Sequence, residues 1–85
     1  MKIQIEPHTL ARAEERGAFL NEIEETLNTG ISLTAKQRRF AKSKVFTFEK
    51  ERNGKFYQKK KLDVYYVIEN DVIITVTVYV FYGKF

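Results

Sequence analysis

The opening residues MKIQIE alternate, with Met1, Ile3 and Ile5 on one side and Lys2, Gln4 and Glu6 on the other. Period two over so short a run predicts a half-buried strand. Pro7 ends it and suits the start of a helix. From residue 8 to 16 the alanines, leucine, glutamates and arginines favour helix. Leu10, Ala13 and Gly17 fall on one side, so the buried stripe is narrow, and Gly17 stops or bends the helix. A second helix is predicted from about Phe19 to Asn28. Leu20, Ile23 and Leu27 share its inner face, while Glu22, Glu24 and Glu25 point to water or toward the helix start. Gly30 closes it.

ISLTA at 31–35 reads as a short extended piece. KQRRFAKSK at 36–44 has no clean period and reads as a mobile basic loop. Period two then returns in KVFTFEKE, where Val45, Thr47 and Glu49 lie opposite Phe46 and Phe48. Asn53-Gly54 is the strongest short hairpin signal in the chain. FYQKKKLDVYYVIE follows as a long strand with a bulge expected near the lysines. Asn70-Asp71 makes the next tight turn, and the valine- and threonine-rich VIITVTVYVFYGK is the last strand. The expected fold class is α+β: a short N-terminal strand, two helices, then an antiparallel meander of about three strands. Residues 1–85 form one domain.

Composition narrows the chemistry. A chain of 85 residues buries only about 60% of its unfolded surface. It has no cysteine, so no disulfide or thiolate metal site, and its single histidine argues against a histidine-based zinc site. No cofactor is called for. No apolar run reaches the roughly 18 residues of a membrane span, and the N-terminus lacks the layout of a secretion signal. The expected location is the cytoplasm, with no membrane partner.

The charge is unevenly placed. Residues 1–35 carry three basic and six acidic side chains, residues 36–61 eleven and two, and residues 62–85 one and three. A middle third this basic suits a polyanion such as nucleic acid. It is also compatible with a solvated basic face or an acidic protein partner.

Two clusters are candidates for function. His8, Arg12 and Arg16 recur every four residues along one helix edge. Guanidinium groups hold phosphate well, and His8 falls at the helix start, where free N–H groups favour anions. The plainer alternative is that Glu14, Glu15 or carboxylates elsewhere pair with the arginines. Histidine is the side chain best placed for proton transfer near neutral pH, and cations stabilise a charged phosphate. Metal-free RNA cleavage therefore has its parts here. The second cluster lies in FYQKKKLDVYY, where Tyr57, Lys59 and Lys61 share one side and Lys60 lies opposite. A tyrosine among lysines can stack a base while the lysines meet phosphates; the alternative is an edge strand guarded by lysines. Arg38, Arg39, Lys42 and Lys44 of the 36–44 stretch would bind flanking phosphates. Tyr65, Tyr66, Tyr79, Phe81 and Tyr82 read as core or sheet-surface aromatics.

At PHTLARAEERG the chain resembles a bacterial family that carries histidine, three residues, arginine, three residues and Arg-Gly, the group labelled domain of unknown function four-two-five-eight. The likeness runs on through NEIEETLNTG and VYYVIENDVIITVTVYVFYGK. That family looks like a branch of the RelE-like and BrnT-like toxin fold, whose better-known members are small ribonucleases paired with antitoxins. The resemblance implies helices ahead of an antiparallel sheet and a site at His8, Arg12 and Arg16. Two positions depart from the pattern. Thr9 stands where the family has alanine, and could cap locally or face the site. Ala18 and Phe19 stand where the family has a β-branched residue and a helix-capping serine.

Three functions remain open. The first is a metal-independent ribonuclease with His8 as acid or base and Arg12 and Arg16 on the scissile phosphate. The second is a non-catalytic module binding nucleic acid or an acidic, antitoxin-like protein through residues 36–61. The third is an interaction protein that pairs, or forms a homodimer, through the open edge of its last strand.

Overall fold

The computed structural model describes residues 1–85. The elements run β1 (Lys2–Gln4), α1 (Pro7–Arg16), α2 (Leu20–Thr29), β2 (Ile31–Leu33), β3 (Phe40–Arg52), β4 (Lys55–Glu69) and β5 (Val72–Gly83). The architecture is α+β. The meander of three long strands is present, and two short strands extend it into a five-stranded mixed sheet of order β1-β5-β4-β3-β2. Only β1 is parallel to its neighbour, pairing Lys2–Gln4 with Val72–Ile74.

Both helices lie on one face of the sheet. Ala13, Ala18, Ile23 and Leu27 meet Leu62, Val64, Tyr66 and Val78 there. The even-numbered residues of β4 from Lys60 to Tyr66 are buried and their odd neighbours are half-exposed, the period-two signature of a strand covered on one side. A ten-residue helix is about 15 Å long, whereas the molecule measures 42 × 23 × 21 Å. The helices therefore cover the middle of the sheet, and its other face is bare of helix. Beyond the Lys59–Gly83 pair, β3 and β4 continue together as a two-stranded ribbon ending at Asn53-Gly54.

Several expectations need correction. The stretch 36–44 is not a loop throughout: Phe40 to Lys44 opens β3, and only the residues before it form a turn. Its buried residues are Ala41 and Ser43, which pair with Tyr65 and Asp63 and so lie on the face turned away from the helices, and side chains so small hide the alternation. Lys59, Lys60 and Lys61 do not guard an edge, because β4 is the central strand. The bulge near them is in β3, where two residues separate Thr47 from Lys50 against one in β4, and Glu49 takes a left-handed φ of 49°. A second irregularity falls in β5 opposite Tyr65 and Tyr66. Leu10 and Leu20 are exposed, and Thr9 and Thr26 take the inner positions expected of them. The edge of β5 is open only past Ile74, since β1 covers its start. Phe19, which has no capping oxygen, precedes α2. Its N–H is bound instead by the Glu22 carboxylate at 2.9 Å, so the missing serine is replaced from inside the helix.

Candidate functional site

The last carbonyls of a helix have no donor within it. At the end of α1 these groups recruit a cluster from the sheet. Arg52 Nη2 donates to Glu15 O at 2.9 Å, Tyr82 Oη donates to Arg16 O at 2.6 Å, and Lys60 Nζ donates to Gly17 O at 2.8 Å. Two of the three donors are cations, which the negative end of the helix dipole favours. Gly17 allows the approach. Its φ of +85° is left-handed, and a Cβ there would collide with the Tyr82 hydroxyl and lie 2.7 Å from Arg52 Nη1. The Arg16-Gly17 pair is thus a docking point of helix on sheet.

Lys60 is 2% exposed. Its ammonium is paired with Glu22 at 2.7 Å and lies 4.7 and 5.6 Å from the ring centres of Phe19 and Phe48. A buried ammonium requires such pairing. Glu22 Oε1 therefore serves both the start of α2 and the buried lysine. Arg52 stacks over Tyr82 at 5.0 Å, and Phe48, Tyr82 and Tyr57 form a ring row with centroid spacings of 5.1 and 5.5 Å. Burial pushes the Tyr82 phenol above its ordinary value, Arg52 pulls it down and Glu22 pushes it up; the phenol keeps the proton it shares with Arg16 O.

Between these groups lies a cleft of about 230 Å³, bounded by Gly17, Phe19, Lys50, Arg52, Lys60 and Tyr82. Lys60 is committed to Glu22 and Gly17. Lys50 is exposed, and Arg52 spends one of its five N–H donors on Glu15 O. The chemistry left over is cationic and aromatic, suited to an anion.

The structure does not bring His8, Arg12 and Arg16 to this cleft. His8 is exposed in the first turn of α1, about 13 Å of helix rise from Gly17. Arg12 pairs with Glu15 at 3.0 Å, the carboxylate alternative. Arg16 leaves the helix edge altogether: Nη1 donates to Val78 O at 2.7 Å, and the guanidinium lies 5.0 Å from the Tyr79 ring centre. It thereby satisfies part of the open β5 edge. Thr9 neither caps nor faces a site; it is wholly buried and its hydroxyl has no partner.

The basic residues expected to bind nucleic acid are spread over several surfaces. Arg38 and Arg39 are exposed at a turn, and Arg39 with Lys36 borders a groove of about 400 Å³ against Tyr65. Lys42 is half-buried in β3. Lys44 is bound to Thr29 Oγ1 at 2.7 Å and Glu25 at 3.3 Å. Tyr57 joins the cleft's ring row, with Lys55 Nζ 5.6 Å above it. Lys59 is half-buried, and Lys61 reaches the rings of Phe81 and Phe85. The spacing of residues does not single out Lys50, Arg52, Glu22 and Tyr82 as a group. One signal does point to them: Lys60 shares strand parity with Leu62, Val64 and Tyr66, so it must face inward and needs an acid.

The fold and cleft define a small α+β protein with a cationic, aromatic-walled recess at a helix terminus. Comparison with protein-family models, curated proteins and solved structures returns no match. No helix is long and apolar enough to cross a membrane.

Proposed function

We propose that the protein binds RNA through its β3–β4 ribbon, with the cleft as a phosphate seat. The observation that carries this reading is the ribbon itself. It extends past the end of β5, and Lys50, Arg52 and Lys55 stand on it beside the aromatic row of Tyr57, Tyr82 and Phe48. Lysine and arginine neutralise phosphates, and aromatic rings take bases.

Fluorescence anisotropy of labelled RNA against salt concentration tests this reading. Wild type is expected to bind at low salt with a steep negative slope of log affinity against log salt. Lys50→Ala with Lys55→Ala should flatten that slope by about 0.7 for each phosphate of a single strand that is no longer neutralised. Absence of binding at low salt would refute the reading and point the basic segment toward an acidic, antitoxin-like protein.

A second reading, metal-independent RNA cleavage, is favoured by the Tyr82 phenol standing beside Arg52; in it the phenol turns its one proton from Arg16 O to the leaving oxygen. A proton donor and a cation on one wall are the parts that leaving-group protonation and phosphate charge require. It agrees with the resemblance to RelE-like and BrnT-like ribonucleases but moves the chemistry from α1 to the cleft. RNA incubated with wild type, Tyr82→Phe and His8→Ala in chelator decides it. Product lost in Tyr82→Phe and kept in His8→Ala supports the cleft; product lost only in His8→Ala returns the site to α1.

A further inference from the structure

The face of the sheet turned away from the helices carries its own pattern. Tyr79 and Phe81 alternate with buried or half-buried valines on β5 and point outward, 43% and 44% exposed, and Phe85 beyond them is 56% exposed. Alternation on one strand places Tyr79 and Phe81 about 7 Å apart along the same face. Tyr65 meets Tyr79 edge to face at 5.7 Å. Cations are interleaved with these rings. Lys61 Nζ lies 5.1 Å from the Phe81 centroid and 5.2 Å from that of Phe85, and the Arg16 guanidinium lies 5.0 Å from that of Tyr79. Lys36 and Arg39 border the groove at Tyr65. Of the carboxylates that share this parity on β4, Asp63 is tied to Ser43 Oγ at 2.6 Å, and Glu69 lies at the strand's far end.

We propose that this helix-free face is a stacking platform for single-stranded RNA, separate from the cleft and its ribbon. The inference rests on the RNA-binding reading and adds to it the strandedness of the ligand and the surface that selects it. Exposed rings offer π-faces to unpaired bases, while a duplex keeps its bases stacked inside. The cations fit a phosphate chain crossing the sheet from Arg39 to Arg16. Lysine is depleted from the cores of protein interfaces, yet Lys61 stands between two rings in the middle of this patch. Charge and ring placement thus favour nucleic acid over a second protein surface.

Anisotropy titrations with a labelled oligouridylate and with an RNA duplex of equal length test the proposal. The proteins are wild type, Tyr79→Leu, Phe81→Leu and Tyr79→Phe, each checked for folding by circular dichroism. Leucine keeps the apolar bulk and removes the ring face; phenylalanine keeps the ring. Wild type is expected to prefer the single strand. Each leucine variant should bind the oligouridylate about tenfold more weakly with an unchanged salt slope, and Tyr79→Phe should match wild type. Leucine variants that bind like wild type, while Lys50→Ala with Lys55→Ala weakens binding, would overturn the platform and leave the RNA-binding reading standing. Equal affinity for the duplex would also overturn it. Binding to neither RNA would overturn both. A concentration-dependent dimer mass in wild type, absent in Phe81→Leu, would make this face a contact between copies and overturn the platform.

Discussion

Two buried polar side chains stand in opposite situations at the scale of the residue. Lys60 is wholly enclosed and wholly satisfied, by Glu22, by Gly17 O and by two rings. Removing one partner of such a pair leaves an uncompensated charge. Glu22→Gln is expected to lower stability by about 3 kcal/mol in urea denaturation. Replacing both partners, Glu22→Leu with Lys60→Met, should recover most of that loss, because an apolar pair needs no compensation. Thr9 is the reverse case, with a buried hydroxyl that makes no hydrogen bond. Thr9→Val keeps the shape and removes the stranded group. It is expected to raise stability by about 1 kcal/mol, visible as a higher thermal midpoint; a fall would show that the hydroxyl has a partner in solution.

The turns set what is legible at the scale of the element. Asn53-Gly54 and Asn70-Asp71 both carry positive φ at each position, as two-residue hairpin turns demand, and both are readable from residue type. Gln37-Arg38 adopts the same left-handed pair, with φ of 60° and 61°, and Arg39 N–H closes the turn onto Lys36 O at 3.2 Å. Neither residue type favours that region, so nothing in the sequence marks the turn or the start of the strand after it. Each non-glycine residue held left-handed costs about 1–2 kcal/mol. Exchanging Gln37-Arg38 for Asn-Gly should stabilise the fold by about 1 kcal/mol in chemical denaturation. No gain would mean the turn relaxes to another form in solution.

Proton binding by buried phenols shapes stability at the scale of the whole molecule. Burial raises Tyr66 and Tyr82 above the ordinary 10.0. The folded chain therefore holds these protons more tightly than the unfolded chain does. Their contribution is fully present below pH 10 and is lost as pH rises past 10 through the folded values. Denaturation midpoints should be flat with respect to these groups up to that point and then fall. Tyr66→Phe is expected to shallow the alkaline fall, because it removes one of the titrating groups. An equally steep fall in Tyr66→Phe would place the linkage elsewhere.

The sequence by itself determined the class and the order of elements. Period two, the Asn-Gly turn, Pro7 and Gly17 are local signals, and each acts through the conformations open to a few neighbouring residues. The basic middle third is equally a property of sequence, because charge is additive along the chain. Tertiary structure alone decided which charges remain available. His8, Arg12 and Arg16 are equally spaced, yet Glu15 takes one arginine and the β5 edge takes the other. Arg52, Lys60 and Tyr82 come from three strands and converge because the end of α1 offers three unpaired carbonyls. No spacing rule encodes that meeting. It follows from where a ten-residue helix ends against a sheet, and from the need of every buried polar group for a partner.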